Sequence, residues 1–260
     1  MTSALVGHSG YVGSTLLRQR AFEHRFRSTD IAGIDGGSFE TVVCAGAPAQ
    51  KWKANADPET DRRTIDALIE HLDTVTCEQF VLISTVDVFA DPTGVDESSD
   101  VQTEGLHAYG LNRRRLEEFV QARFGRHLVV RLPGLVGPGL RKNVIYDLLH
   151  DNNLDAVDSR GVFQFYPMVN LWWDIESALA ADLSLVHLTA APVDVATIAR
   201  LGFGRDFEQH LDKPVPRYDF RTRHADVVGG TDHYQYSVGE TLMAVRHYAQ
   251  SAGAAAEPLS

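Results

Sequence analysis

A short apolar run near the start of the chain, Ala4-Leu5-Val6, stops at Gly7 and opens a G-x-x-G-x-x-G turn, Gly7-His8-Ser9-Gly10-Tyr11-Val12-Gly13. Residues 11–20 then read as a helix. A buried strand that passes through glycines straight into a helix fits few folds. Backbone N–H groups at such a helix N-terminus can receive an anion when no Cβ blocks the approach. The turn therefore predicts an α/β chain whose first strand lies inside a sheet.

The rest of the chain repeats the alternation. Residues 24–28 read as a weak second strand, 41–45 (TVVCA) as a clear third, 80–84 (FVLIS) as a fourth and 127–132 (HLVVRL) as a fifth. Pro58 opens a helix to about residue 72, with Ile65, Leu68, Ile69 and Leu72 on one face. Residues 111–124 form a charged amphipathic helix. Apolar strands separated by helices predict a doubly wound parallel sheet of Rossmann type. Only residues 29–40 separate the second and third strands, too few for a helix and a strand, so the first half is abbreviated.

After Pro133 the pattern changes. The stretch PGLVGPG leads to a helix near 143–150, the aromatics Phe163, Phe165 and Tyr166, a helix over 171–181, a strand over 185–188 and a helix over 193–201. A last helix lies near 239–249. This divides the chain into a dinucleotide-binding domain over 1–138, completed by about 168–200. A small lobe, which the resemblance described below implies is substrate-binding, takes 139–167 and 201–250, and a flexible tail takes 251–260.

Composition narrows the classes of function. A formal charge of −11 argues against nucleic-acid or anionic-membrane binding, which need a basic face. The two cysteines, Cys44 and Cys77, sit in apolar surroundings without metal-ligand spacing, so they read as reduced core thiols and no metal is expected. No apolar run approaches ~20 residues, and the first one is too short for a signal peptide. A soluble, cytoplasmic protein is expected.

The glycine turn points to a dinucleotide pyrophosphate held by Gly7, Ser9, Gly10, Tyr11, Val12 and Gly13. An acid near the end of the second strand commonly holds adenosine ribose hydroxyls, and Asp30 lies at about that distance, with Asp35 in reserve. An acid there favours NAD. Arg25, Arg27 and Ser28 beside it leave NADP open. Cys44, Ala45 and Gly46 end the third strand with small residues, as an adenosine lying across strand ends requires.

Several strings in order resemble the extended short-chain dehydrogenase/reductases, a group containing nucleotide-sugar epimerases, dehydratases and ketoreductases. Besides the glycine turn these are Ser84-Thr85-Val86-Asp87-Val88-Phe89, Tyr109-Gly110-Leu111-Asn112-Arg113, and the segment from Arg131 through Pro133 to Gly137-Pro138-Gly139. The resemblance covers residues 4–199. It implies that Thr85 bonds a substrate hydroxyl or carbonyl, that Tyr109 is the general acid/base, and that Pro133 lies by the cofactor. The family's Y-x-x-x-K helix would place a lysine where this chain has Arg113. The spacing keeps Tyr109 and Arg113 on one helix face, and a cation there is expected to lower the tyrosine pKa. Asp87 would be a general acid/base or a hydrogen-bond acceptor for a sugar hydroxyl. Val86 precedes it where the dehydratases carry an adjacent acid, which counts against dehydration.

On the substrate side, Arg141, Lys142 and Asn143 at a helix start form a candidate seat for a phosphate or carboxylate. Tyr166 is a candidate stacking face. The resemblance implies an NAD(P)-dependent oxidoreductase or epimerase moving hydride at a carbinol or keto carbon of a sugar or nucleotide sugar. The alternative is a nicotinamide-cofactor-binding protein with little or no turnover. A homodimer through residues 111–124 would have only the thin stripe Leu111, Leu116, Phe119 and Val120 to use.

Overall fold

The computed structural model describes residues 2–254. In chain order the first elements are β1 (Ser3–Val6), α1 (Tyr11–Gln19), β2 (His24–Phe26), β3 (Ser38–Cys44), α2 (Lys51–Ala56), α3 (Pro58–Asp73) and β4 (Thr76–Thr85). Next come β5 (Thr93–Val95), α4 (Ala108–Arg123), β6 (His127–Leu132), β7 (Gly134–Val136) and α5 (Val144–His150). The remainder is β8 (Val162–Phe163), β9 (Phe165–Pro167), α6 (Leu171–Ala180), β10 (Leu185–His187), β11 (Val193–Asp194), α7 (Val195–Thr197), β12 (Asp219–Phe220) and α8 (Val238–Ala254).

These elements form two compact units. The first takes Met1–Ala90, Ser98–Leu132 and Leu171–Val186; the second takes Asp91–Glu97, Pro133–Asn170 and His187–Ser260. The first is built on a six-stranded sheet in the order β10-β6-β4-β3-β1-β2. β1 pairs in parallel with β2 on one side and with β3 on the other, with Val6 opposite both Phe26 and Cys44. The chain thus reverses its direction of growth at β1, and the sheet's switch point lies between β1 and β3. β3, β4 and β6 continue in parallel, Cys44 facing Leu82 and Thr85 facing Leu132. The doubly wound α/β fold read from the sequence is the observed one, and the short first half has a simple form. A four-residue 3-10 turn, Ile31–Ile34, stands where a longer crossover would lie.

Burial explains why the apolar runs became strands. Ala4, Val42, Cys44, Phe80, Leu82 and Val129 pack with Ile65 and Leu72 of α3 and with Leu116 and Val120 of α4 in one core. Each Val, Leu, Ile or Phe side chain among them contributes roughly 1.5–3 kcal/mol when removed from water. Phe119 also packs against this core. Leu116, Phe119 and Val120 of the apolar stripe of α4 are therefore packed inside their own unit.

The second unit is a set of short ladders. β7 pairs with β9, β8 with β11 and β5 with β12. Gln164 is buried among them and ties them by donating to the Thr189 hydroxyl and to the Ala190 and Phe220 carbonyls. Three expectations shift. The helix expected over 193–201 is a short strand and α7, followed by a π-helical stretch, Ile198–Gly202. The short helix α2 was not foreseen. Helix α8 runs to Ala254, so residues 251–254 of the expected tail are helical, and 255–260 lie outside the described residues. No helix among the described residues is long and apolar enough to cross a membrane, and no cluster of metal-ligating side chains occurs among them.

Candidate active site

Two glycines fix the turn at the end of β1. Gly7 adopts φ +84°, and a Cβ on it would overlap the Ala45 carbonyl. A Cβ on Gly13 would overlap the Gly7 carbonyl oxygen. The Gly7 N–H donates to Phe26 O (2.7 Å) and the Ala45 N–H to Val6 O (2.9 Å). The ends of β1, β2 and β3 therefore meet at a backbone-lined turn beneath the N-terminus of α1. Gly10, the N-cap, brings no side-chain cap, and no acid lies in the first turn of α1. The positive end of the helix dipole is left for an anion. The turn fits a dinucleotide pyrophosphate, because Gly7, Gly10 and Gly13 bring no side chain to it. Ser9 and Gly10 are exposed there, and Tyr11 and Val12 half-buried.

One neighbouring candidate has another duty. Cys44 is fully buried, and burial pushes its thiol up to about 11, so its side chain belongs to the core and not to a binding surface. Ala45 and Gly46 remain half-buried at the strand end. Asp30 lies beyond the end of β2 and caps the 3-10 turn. Its carboxylate accepts from the Arg27 N–H (2.6 Å) and pairs with the Arg27 guanidinium at 3.5 Å.

The second half of the site lies at the end of β4. Thr85 closes that strand, and its hydroxyl accepts from the Asp87 N–H (3.2 Å) and lies 3.5 Å from Asp87 Oδ2. The same hydroxyl favours the ionised form of the Tyr109 phenol. Helix α4 starts at Ala108, earlier than the sequence pattern indicated, so Tyr109 stands in its first turn. Three contacts set that turn. His107 is the N-cap and its Nδ1 accepts from the Gly110 N–H (3.0 Å). Asn55 Oδ1 accepts from the Tyr109 N–H (3.0 Å). Gly110 meets the Asp87 carbonyl oxygen so closely that no Cβ fits between them. Burial holds His107 below the usual imidazole range, with the Lys51 cation acting in the same direction.

The structure corrects the expected acidification of Tyr109. Its side chain is 8% exposed, and burial pushes its phenol up to about 12, the Asp87 charge adding to the rise. The Arg113 cation and the Thr85 hydroxyl oppose this without reversing it. The rise comes from burial, and Arg113 is itself committed to other partners. It is 3% exposed, with its guanidinium 3.9 Å from the Tyr109 ring centroid. It donates to Asp61 Oδ2 (2.5 Å), to Tyr109 O (3.3 Å) and to Pro48 O. Asn112 donates to the same Asp61 oxygen (2.8 Å). Arg113 is thus bound into the floor beneath the tyrosine ring. The cation nearest Asp87 comes from α2 instead, with Lys51 Nζ 2.7 Å from Asp87 Oδ1.

A second buried network holds α4 to the sheet. Glu117, fully buried, accepts from Ser84 Oγ (2.5 Å), from Arg131 Nε (2.9 Å) and Nη2 (2.7 Å), and from Arg114 Nη1 (3.1 Å). Its partners come from β4, β6 and α4 itself, so it fixes the height of α4 against the strand that ends in Thr85.

The substrate-side candidates fall in the second unit. Asn143 caps α5, its Oδ1 accepting from the Ile145 and Tyr146 N–H groups while its Nδ2 donates to Leu135 O (2.8 Å). Its polar atoms are committed to the cap and not to an anion. Arg141 and Lys142 are exposed before that helix, and Pro133 is buried just after β6. Tyr166 is fully buried, its ring edge-on to Tyr236 at 5.6 Å, so it packs the core of its unit and offers no stacking face.

The structure places Thr85, Asp87, Tyr109 and Arg113 at the end of β4 and the start of α4, and adds Lys51, Asn55, Asp61 and Glu117, which the sequence did not single out, as their supports. The glycine immediately after Tyr109, in a helix, was the one available signal of a close approach.

No protein-family model matches the chain, and no curated protein matches its sequence. Solved structures do match the fold. A dTDP-4-dehydrorhamnose reductase from Clostridium acetobutylicum superimposes with a TM-score of 0.73 at 16% identity, covering 97% of this chain and 100% of the other. A UDP-glucuronic acid 4-epimerase from Bacillus cereus, in complex with UDP-4-deoxy-4-fluoro-glucuronic acid and NAD, gives 0.70 at 14% identity, covering 97% and 100%. A UDP-N-acetylglucosamine 4-epimerase from Methanobrevibacter ruminantium, in complex with UDP-N-acetylmuramic acid, gives 0.74 at 10% identity, covering 96% and 97%. At these identities the likeness is one of fold.

Proposed function

We propose that this chain is an oxidoreductase or epimerase of the extended short-chain dehydrogenase/reductase type. It acts at a carbinol or keto carbon of a sugar, with a nucleotide sugar as the favoured substrate class. The observation that carries this reading is that Thr85 closes β4 and Tyr109 stands in the first turn of α4, in the same unit as the glycine cradle at the end of β1. Ligands of open α/β sheets bind outside the carboxyl ends of the strands. The fold neighbours include a reductase and epimerases named for nucleotide sugars, one of them with NAD.

Gly7 to Gly13 would hold the pyrophosphate of a nicotinamide dinucleotide, with Ala45 and Gly46 beside the adenosine. When bound, that group supplies a hydride acceptor or donor. Tyr109 holds the proton that moves to or from the substrate oxygen. Thr85 bonds the same oxygen and sets its distance from the phenol. Asp87 accepts from a sugar hydroxyl. Arg141 and Lys142 are candidates for a substrate phosphate. NAD is the favoured cofactor because of Asp30, with NADP second because Arg27 directly follows β2. Two unpaired cysteines support a reducing, cytoplasmic setting.

The test is direct. NADH and NADPH are titrated by fluorescence, then UDP- and dTDP-linked keto-sugars are added while the reduced-nicotinamide absorbance is followed. Tyr109→Phe should abolish turnover and spare cofactor binding; full activity in that variant would sink the assignment. Cofactor binding without turnover across the panel would favour a binding protein instead.

A further inference from the structure

We propose that His107 is a positioning residue for Tyr109 that a proton releases: its imidazole caps α4 only while Nδ1 is unprotonated. The inference rests on the oxidoreductase reading above and adds a pH-sensitive hold on the acid/base of that reading.

The first N–H groups of a helix have no partner inside it and take one from outside. In α4 the Leu111 N–H already bonds within the helix, to His107 O (3.0 Å). The two N–H groups before it go elsewhere, Tyr109 N–H to Asn55 Oδ1 and Gly110 N–H to His107 Nδ1, each at 3.0 Å. A backbone N–H only donates, so Nδ1 carries no proton and the neutral ring keeps its proton on Nε2. The imidazole also lies close over Gly110, since a Cβ there would come within 3.0 Å of His107 Cε1. An imidazolium donates from both nitrogens. Protonation of Nδ1 therefore sets two N–H groups against each other. It removes the side-chain bond from the helix turn in which Tyr109 stands. The common caps Ser, Thr and Asn have no such second state.

The groups around the ring decide which state prevails. Burial disfavours the charged ring most, and the Lys51 cation of α2 and the Arg113 cation of α4 act in the same direction. The Asp87 charge after β4 and the ring's own backbone act against them without reversing the result. A cation at the positive end of the α4 dipole is disfavoured as well. Tyr109, its ring centroid 6.4 Å from that of His107, keeps its phenol protonated through this range. The cap is thus engaged at neutral pH and is lost as pH falls through a midpoint below the ordinary 6.5. The ring is only half-buried, so protons from solvent reach it.

His107→Asn and His107→Ala variants test this in two ways. Asn keeps a side-chain acceptor at every pH, and Ala has none. The first test uses the ligand-free protein. Hydrogen exchange of the Gly110 amide is followed by NMR from about pH 8 to about pH 5, together with the His107 imidazole signal. Protection of Gly110, relative to an unstructured amide, should fall about fivefold in the native protein as the ring titrates. It should hold in His107→Asn and be low throughout in His107→Ala. The second test is steady-state reduction of a keto-sugar. The ratio of kcat at the upper pH to kcat at the lower should be about fivefold greater in the native protein than in His107→Asn, with KM for the cofactor moving less than about twofold. Constant Gly110 protection across the His107 titration overturns the proposal, and so does an equal fall in His107→Asn. Equal kcat ratios in the two proteins overturn it too. Should the native protein bind cofactor and turn over nothing, the functional reading fails, while the cap is still decided by the exchange of Gly110.

Discussion

Gly110, in the first turn of α4, packs on the carbonyl oxygen of Asp87 with no room for a Cβ between them. This contact lets the helix carrying Tyr109 close on the turn carrying Thr85. Gly110→Ala should push the helix start outward. We expect a loss of about 1–3 kcal/mol of stability from overpacking. A fall in kcat of about 10²-fold should accompany it, since misplacement near 1 Å has effects of that size. Thermal unfolding and kcat measured on the same preparation check this; an unchanged kcat would show that the close approach does not set the Thr85–Tyr109 geometry.

The cradle glycines separate fold from binding. Gly7 combines φ +84° with a blocked Cβ position, whereas a Cβ on Gly10 would lie 3.4 Å from its nearest neighbour, the Gly7 carbonyl oxygen. Gly7→Ala should yield unstable or insoluble protein. Gly10→Ala should fold with a melting temperature near that of the native chain and bind dinucleotide at least tenfold more weakly. Calorimetric titration with NADH and NADPH reads the second effect, and undiminished affinity in Gly10→Ala would remove the cradle assignment.

Arg113 invites replacement by lysine, and the structure predicts no benefit. A lysine there loses the Pro48 contact and the planar stack on the Tyr109 ring while leaving Asp61 less well bonded. Arg113→Lys should lower stability and bring no gain in rate. Arg113→Met, which leaves Asp61 buried without its cation, should cost about 3–5 kcal/mol in urea unfolding. A rate gain in Arg113→Lys would contradict the structural duty given to Arg113.

The raised Tyr109 pKa makes stability depend on alkaline pH. The phenol ionises near its ordinary 10.0 in the unfolded chain and at about 12 in the folded one. Between those values the unfolded state holds fewer protons, so stability is full below about pH 10 and falls as pH rises toward 12. One tyrosine so shifted contributes about 2–3 kcal/mol to that fall. Tyr109→Phe should show a shallower loss over this range. A slope remains in that variant, because burial also pushes Tyr234 up to about 12. Identical pH–stability curves for the two proteins would mean that Tyr109 is not buried as described.

The parts of this arrangement that were legible in the sequence are those fixed by local pattern. The Gly7 turn and the apolar runs of β3, β4 and β6 announce themselves because burial on both faces demands unbroken apolar residues. Thr85 and Tyr109 were found together through a resemblance of strings. What stayed hidden depends on distant partners. Asp61 reads as one more surface acid in PETDRR, yet it is buried because Arg113 and Asn112 reach it from α4. Helix α2, KWKANA, has no apolar period to reveal it, and one short turn of it supplies Lys51 and Asn55. Tyr166 and Phe165 are adjacent in β9, and both proved buried, which alternation alone would not give.

The short strand β5 has a consequence for how the chain is made. Its partner β12 lies far downstream, and the Glu97 carboxylate that follows β5 accepts from the Thr222 hydroxyl, 125 positions later. A ribosome working from the N-terminus completes the sheet strands β1 to β6 long before that hydroxyl exists. The second unit must therefore wait for the distal part of the message, holding the 91–97 segment unpaired in the meantime. A stalled or truncated translation product would leave this segment as an open strand, ready for whichever chain reaches it first.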